Sequence, residues 1–389
     1  MKKVRVGLIG AGFAAALHAH GLRAVYGANV ELAAVASGTR ERADAFARAH
    51  RIPDAYADYT ELLRDRTIDL VSVCVSNAAH AEVVTAALRA GKHVICEKPL
   101  TGAFGPRTVA DPVERANEEW QRVRASIAEL REAVDASGRQ FMYAENWVYA
   151  PAMTKIDRLL GLAGGAVLDI RAEESHSGSH AERSRRRETA GGGALLVLGS
   201  HAIGAALHLK AAESRRSGAP SVGVESVVAD TADFHALRDA ERPGYVVDDW
   251  HDVERWANLV LRFTDGTRAV INASFAMLGG TRNRLEVYTP RSAYRAEMTP
   301  NNALMAFTPD TEAFGDEYLH EKVESRTGWI HAAPDEDWER GYPQEMQDFV
   351  EAAADDRPAL AGFDLAAAVA DITYAAYVSA ADGRRVDLN

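Results

Sequence analysis

Apolar and polar residues follow two different patterns along this chain, and the change comes near residue 150. Before it, short and almost wholly apolar runs recur at 4–9, 31–36, 69–75, 93–96 and 140–143. Between them lie stretches whose apolar residues return every three or four positions. Runs of the first kind read as parallel strands buried on both faces, and stretches of the second kind as helices packed over them. The pattern predicts helices from 13 to about 26, over 40–50 and up to Gly91, where Val83, Val84, Ala87 and Leu88 form one face. A short strand falls at 55–56 and a helical turn at 59–63. A long amphipathic helix at 118–136 carries Trp120, Val123, Ile127, Leu130 and Val134 on one side and stops at Gly138. Strands alternating with helices in this way predict an α/β domain around a parallel sheet.

After a junction at Ala144-Glu145-Asn146-Trp147-Val148-Tyr149-Ala150-Pro151, the pattern changes. A helix at 153–160 is followed by strand signals at 166–174, 221–234, 256–263, 268–275, 283–289 and 292–298. Thr264-Asp265-Gly266-Thr267 stands between two apolar runs, and Asp-Gly in that position marks a hairpin. The second half therefore predicts an α+β domain on a large, open, mostly antiparallel sheet. Residues 343–378 read as helical, with the last helix, about 365–379, packing back on the first domain. The expected domains are 1–147 and 148–389.

Composition narrows the function. A length of 389 residues fits two domains, and 47% hydrophobic residues suffice for two cores. Lys+Arg 44 against Asp+Glu 56 gives a net charge of −12, which argues against nucleic acid or an anionic membrane as general partners. No apolar run approaches membrane-spanning length, about 18 residues. The two cysteines, Cys74 and Cys96, fall in apolar strands, which fits a reducing, cytoplasmic setting rather than a disulfide framework. The N-terminus enters a strand at once, which argues against a signal peptide.

The chemistry begins with Gly10-Ala11-Gly12-Phe13-Ala14-Ala15 between the first strand and the first helix. In this G-x-G-x-x-A the first Gly makes a tight turn and the second admits a pyrophosphate. The small third residue lets helix and strand pack, and the helix N-terminus faces the phosphates. A Rossmann domain binding NAD or NADP follows, with Gly10, Gly12, Phe13 and Ala14 at the cofactor. The second strand ends in Ser37-Gly38-Thr39-Arg40, with no acid to hold the ribose hydroxyls. Ser37, Thr39 and Arg40 offer donors to a 2′-phosphate, which leans toward NADP. At the fourth strand's end, Ser76-Asn77-Ala78-Ala79-His80 places Asn77 toward the nicotinamide ribose, with Ser76 beside it, and His80 capping the next helix. The fifth strand ends in Glu97-Lys98-Pro99-Leu100. Proline restrains the preceding residue, so Lys98 stands fixed at a strand's carboxyl end, where α/β sheets bind ligands.

The Gly-rich turn, Asn77 with His80, and Glu97-Lys98-Pro99 together resemble the Gfo/Idh/MocA oxidoreductases, glucose-fructose oxidoreductase and inositol dehydrogenase among them. The resemblance spans nearly the whole chain and is most specific over residues 1–100. It implies Glu97 and Lys98 at the cofactor and Lys98 on the substrate oxygen. It also implies a homo-oligomer, dimer or tetramer, with one face of the second sheet at the contact. Residues 101–117 depart from the family, which runs from Glu-Lys-Pro-Leu directly into a helix. This inserted segment reads equally as a flap, an oligomer contact or a surface loop.

A second match is Gly191-Gly192-Gly193-Ala194-Leu195-Leu196-Val197-Leu198-Gly199-Ser200-His201, where the family has Gly-Gly-Gly-x-Leu-x-Asp-x-Gly-x-His opening a helix. His201 suits the proton transfer that accompanies oxidation of an alcohol. The family's Asp is Val197 here, which holds no proton. That leaves His201 alone, a substitute among Glu145, Asp169, Glu173 and Glu174, or different chemistry. Upstream, Glu173-Glu174-Ser175-His176-Ser177-Gly178-Ser179-His180 supplies Glu174, His176 and His180 for a polyol's hydroxyls. Arg183, Arg185, Arg186 and Arg187 suit an anionic group on such a substrate. At the junction, Glu145, Asn146, Trp147 and Tyr149 are further substrate candidates, with core packing competing for Trp147. His176 and His180 have a metal-ligand spacing but lie outside any predicted helix, so no metal is expected.

These residues predict an NAD(P)-dependent oxidoreductase that passes hydride between nicotinamide and a ring carbon of a sugar, cyclitol or derivative, with Lys98 and His201 catalytic. An alternative from the same family is a redox-neutral NAD-dependent glycosidase that oxidises transiently, eliminates, adds water and returns the hydride. A third, favoured by Val197, is a nucleotide-binding sensor without activity.

Overall fold

A computed structural model describes residues 3–179, 181–237, 244–247, 249–299, 304–323 and 325–388. The chain divides into two compact units, each assembled from separate stretches: Met1–Ala103, Gln121–Tyr149 and Gly341–Asp371 in one, Phe104–Trp120, Ala150–Arg340 and Ile372–Asn389 in the other.

The first unit is built on a six-stranded parallel sheet in the order β3-β2-β1-β4-β5-β6. The strands are β1 (Lys3–Ile9), β2 (Asn29–Ala36), β3 (Asp54–Tyr56), β4 (Leu70–Val73), β5 (His93–Glu97) and β6 (Phe141–Ala144). Helices α1 (Phe13–Arg23), α2 (Arg40–Ala49), α3 (Tyr59–Arg64), α4 (His80–Arg89) and α5 (Pro112–Ser137) connect them. Val6, Leu8, Leu70, Val71, Val94 and Ile95 are fully buried in the sheet. Each such side chain contributes about 1.5–3 kcal/mol relative to an exposed one. Apolar runs without alternation are thus explained by burial on both faces.

The second unit contains α6 (Pro151–Ala163), β7 (Asp169–Ser175), α7 (Arg187–Ala190) and α8 (Ser200–Ser217). Its strands continue with β8 (Val224–Ala232), β9 (Trp256–Phe263), β10 (Arg268–Ser274), β11 (Arg282–Tyr288) and β12 (Ala293–Glu297). These form a seven-stranded sheet, β12-β11-β7-β10-β9-β8-β15, where β15 is Val386–Asp387. All its pairs are antiparallel except β7 with β10. Helix α8 packs on β7 and β10. The β9–β10 turn falls on Thr264–Thr267 as predicted: Gly266 has φ +96° and Asp265 accepts the Thr267 N–H at 3.0 Å. A separate hairpin, β13 (Met305–Thr308) with β14 (Gly328–His331), carried no signal clear enough to predict.

The chain ends with α9 (Glu336–Arg340), α10 (Tyr342–Asp355) and α11 (Phe363–Asp382). The helical tail thus consists of separate helices, α10 capped at its end by Asp356, whose φ of +51° is left-handed, and the last helix α11 following it. Within the first unit, Phe363 of α11 packs edge-on against Phe141 of β6, and Asp371 pairs with Arg124 of α5 at 2.7 Å. The 187–217 stretch is apolar and long enough to span a membrane by composition, but it is 89% buried and forms core.

The inserted segment at 101–117 packs on its neighbours. Within the second unit, Gly105 N–H donates to the Glu188 carbonyl at 3.0 Å, and Phe104 lies against Gly191. Arg107 donates to Glu119 at 3.1 Å, and Glu119 also pairs with Arg187. Arg187 and Glu119 are both buried, and the Arg187 guanidinium lies 4.3 Å from the centre of the Tyr377 ring. These residues, with Asp252 and Glu254, line a cavity of about 370 Å³.

Candidate active site

Gly10 ends β1 with φ +119°, and a Cβ there would lie 2.2 Å from the Cys74 carbonyl oxygen. Only glycine fits, because the backbone after β4 crosses directly beneath it. Gly12 caps α1 with no side chain on the free N–H groups, and the first turn carries no acid. Ala15 is fully buried, so the helix lies close on the sheet. An uncovered helix N-terminus beside a glycine turn fits a pyrophosphate. Phe13 is exposed and Ala14 half-buried at its rim. At the end of β2, Thr39 caps α2 by accepting the Arg42 N–H at 3.3 Å. Arg40 is exposed and donates to Asp44 at 3.0 Å, and Ser37 is half-buried.

The turn after β5 is held from two sides. Glu97 accepts the Lys98 backbone N–H at 2.9 Å, and His80 Nδ1 donates to the Pro99 carbonyl at 2.7 Å. The Lys98–Pro99 peptide is cis. Burial keeps the His80 imidazole below its usual pKa, hence neutral. His80 thus begins α4 and fixes the Lys98 turn, while Ser76 is exposed and Asn77 half-buried in the preceding turn. Behind Glu97 stands His18, fully buried, its Nδ1 2.7 Å from Ser72 Oγ and its Nε2 3.1 Å from Glu97. Burial opposes charge on His18, but Cys74 and Glu97 outweigh it and hold its pKa well above the ordinary value. Sequence reading missed His18: nothing in its local pattern shows that it reaches a strand end 79 residues away.

The junction residues Glu145, Asn146, Trp147 and Tyr149 are all buried. Tyr149 is occupied within its own unit: its ring meets Phe349 edge-on and its hydroxyl donates to Asp348 at 2.8 Å.

In the second unit, the glycine triple is fastened by Glu254, which sequence reading also missed. Its carboxylate accepts the N–H groups of Gly193 and Leu195, both at 3.0 Å, and the Tyr377 hydroxyl at 2.8 Å. Residues Leu195–Gly199 then form a π turn rather than the expected start of an α-helix, and α8 begins at Ser200. Val197 packs against an apolar cluster of Leu198, Trp250, Val253 and Phe275. The position that would hold the Asp is thus half-buried and lies against the core.

His201 lies in the first turn of α8 with its Nε2 3.9 Å from Glu174, both side chains buried. Strand alternation explains why Glu174 is the carboxylate found there. Ile170, Ala172 and Glu174 share the buried face of β7, while Arg171 and Glu173 turn outward. Glu173 accepts from Ser175 at 3.1 Å, and Asp169 pairs with Arg171 at 3.0 Å. His176 is buried and uses Nδ1 to accept the Gly178 N–H at 2.9 Å. His180 lies outside the described residues. Of the four arginines, Arg185 and Arg187 pair with Asp249 and Glu119, while Arg183 and Arg186 are exposed. Among the described residues, no group of three or more His, Cys, Asp or Glu is arranged to hold a metal ion.

Comparison with known proteins finds relatives of both halves of the chain. Residues 4–125 match the family model of an oxidoreductase family with an NAD-binding Rossmann fold, and residues 163–295 match the GFO/IDH/MocA C-terminal domain. A trans-1,2-dihydrobenzene-1,2-diol dehydrogenase of Xenopus laevis is 32% identical over 177 residues, 44% of this chain and 46% of the relative. A D-xylose 1-dehydrogenase (NADP(+)) of Haloferax volcanii is 30% identical over 184 residues, 47% and 50%. The chain spans about half the length of the curated relatives it matches. Among solved structures, GenD2 from gentamicin A biosynthesis in complex with NAD has a TM-score of 0.78 at 26% identity, covering 100% of this chain and 97% of that one. Myo-inositol 2-dehydrogenase from Lactobacillus plantarum has a TM-score of 0.74 at 18% identity and 100% coverage of both, a likeness of fold.

Proposed function

Because this chain belongs to the GFO/IDH/MocA oxidoreductase family and carries its NAD-binding Rossmann domain, we propose that it transfers a hydride between nicotinamide and a ring carbon of a small sugar, cyclitol or related diol. The observation that carries the reading is the buried His201–Glu174 pair. An alcohol loses a proton as it loses hydride, and a buried imidazole backed by a carboxylate is suited to take it. The bound nicotinamide supplies the hydride acceptor or donor. Lys98, fixed through Glu97 and the His80–Pro99 bond, orients the substrate oxygen and stabilises its negative charge as the proton leaves. Glu174, beside the His201 Nε2, is the carboxylate that stands in for the Asp replaced by Val197. The relatives' names support the substrate class, since a cyclic diol and a pentose both offer hydroxyls on adjacent carbons. Arg186 pairs with Glu182 at 3.7 Å on the surface, and Arg183 is exposed. The exposed end of β2, with Arg40 beside Asp44, leaves NAD and NADP both as candidates.

The test mixes the protein anaerobically with NAD or NADP and a panel of sugars, cyclitols and aryl glycosides, following cofactor reduction and aglycone release together. Stoichiometric reduction with no aglycone supports the reading. Aglycone release without net reduction replaces it with the redox-neutral glycosidase, and no reaction across the panel leaves a binding protein.

With an active substrate in hand, Glu174→Gln separates positioning from bulk. Without the carboxylate the His201 ring loses the partner beside its Nε2, while the amide keeps the same volume. We expect kcat to fall about 10–100-fold with cofactor affinity unchanged. An unchanged kcat means Glu174 serves packing alone.

A further inference from the structure

The first unit holds a group of buried ionisable side chains that the chemistry above does not use. Helix α10 packs on α1, β1 and the Asn146–Val148 turn. The contact with α1 is tight, for a Cβ on Gly21 would lie 2.9 Å from Met346 and 3.1 Å from the Tyr342 carbonyl oxygen. In the first turn of α10, Glu345 is 0% exposed, and neither carboxyl oxygen has a hydrogen-bond partner among the described residues. The ionisable groups that feel its charge are His18 on α1, Cys74 beyond β4, Glu97 at the end of β5, and Tyr143, Glu145 and Tyr149 on and after β6. The Tyr143 hydroxyl is likewise buried without a partner among the described residues.

The charge balance is one-sided. His18 and Lys98 both act on Glu97, and an ionised Glu345 would add a buried anion beside Glu97 and Glu145. Burial pushes the Glu345 carboxyl well above the usual range; His18 draws it back, and Glu97 and Glu145 push with burial. A carboxyl without exposure, and without a donor to either oxygen among the described residues, favours its neutral, protonated form. Glu97, the partly exposed member, is the one that also holds the Lys98 backbone. Positive charge brought to that strand end favours the ionised form of the whole group.

We propose that Glu345 is a proton store coupled to the charge of the nicotinamide: binding of the oxidised, cationic cofactor expels its proton to solvent, and binding of the reduced, neutral cofactor leaves it in place. In the binding step only a carboxylic O–H breaks, the proton passes to the buffer, and no electron moves. This rests on the assignment of the Lys98 end of the sheet to the nicotinamide. The sign follows. Affinity for the cation rises with pH between the group's bound and free pKa values, at most tenfold per pH unit, and is flat outside them. Affinity for the reduced form is flat throughout.

The experiment is calorimetric titration of NAD⁺ and NADH, and of NADP⁺ and NADPH, in two buffers of different ionisation enthalpy. The difference in heat gives protons released per cofactor bound. The expected result is release of a large part of one proton on oxidised cofactor and little on reduced cofactor. Glu345→Gln keeps the shape and neutrality of the protonated acid, and should more than halve that release and flatten the pH dependence. Equal release with both redox forms in the wild-type chain overturns the proposal with no variant needed, and so does unchanged release in Glu345→Gln. An absence of binding heat with all four cofactors overturns the cofactor-site reading instead.

Discussion

Replacing His201 with Asn lowers kcat by about 10²–10⁴-fold and leaves cofactor affinity unchanged. Asn fills similar space and can still hydrogen-bond, but it accepts no proton near neutral pH. The ring lies at the start of α8, buried on the side of β7 that carries Glu174. Removing it therefore takes away the imidazole placed next to Glu174. Cofactor binding, assigned to the first unit, has no reason to change. Steady-state kinetics with the substrate found in the panel, paired with cofactor titration, checks the prediction. A variant retaining a third or more of wild-type kcat removes His201 from the chemistry and returns Val197 to prominence as the mark of a different mechanism.

Gly193→Ala destabilises the protein by about 3–5 kcal/mol. A Cβ at residue 193 would sit 2.0 Å from the Glu254 carbonyl oxygen, which is backbone and itself accepts the Ala194 N–H at 2.9 Å. No side-chain rotation relieves that contact. The two segments must part, and the Glu254 carboxylate then loses its bonds to Gly193 and Leu195, each worth about 0.5–1.5 kcal/mol. Thermal unfolding measures it, at roughly 2–4 °C per kcal/mol for units of this size. A melting temperature within about 1 °C of wild type shows that the close approach does not constrain the fold.

The contrast between these two residues bears on what the sequence could reveal. The strand ends that carry Gly10, Asn77 and Lys98, and the hairpin at Asp265-Gly266, were legible because their signals are local: a glycine demanded by a turn, or a run of buried strand residues. The glycine triple was legible as a motif, but its reason was not. Glu254 stands 61 residues beyond Gly193, and Tyr377 another 123 beyond Glu254. Nothing in the periodicity of α11 marks Tyr377 as the partner of a carboxylate. His18 and Glu345 were missed for the same reason, since their surroundings come from four different elements. Glu174 fell between the two cases. It was one of four acids offered as a substitute for the missing Asp, and strand alternation alone separates it from Glu173, once the register of β7 is fixed. For the 101–117 segment, sequence alone left three readings open because its anchors, Arg187 and Glu188, lie far along the chain.

The π turn at Leu195–Gly199 has a consequence for how this chain tolerates change in length. Such a turn holds one residue more than the α-helical turn it replaces. Ahead of it, Gly193 and Leu195 are tied to Glu254; after it, His201 faces Glu174. Deleting a single residue between 195 and 199 would leave an ordinary α-helical turn in the same span, whereas the same deletion further along α8 would rotate the flanking side chains by about 100°. With the former deletion the two attachments could still be made together, so the π turn is the one place in this motif where a residue can be lost without turning His201 away from Glu174.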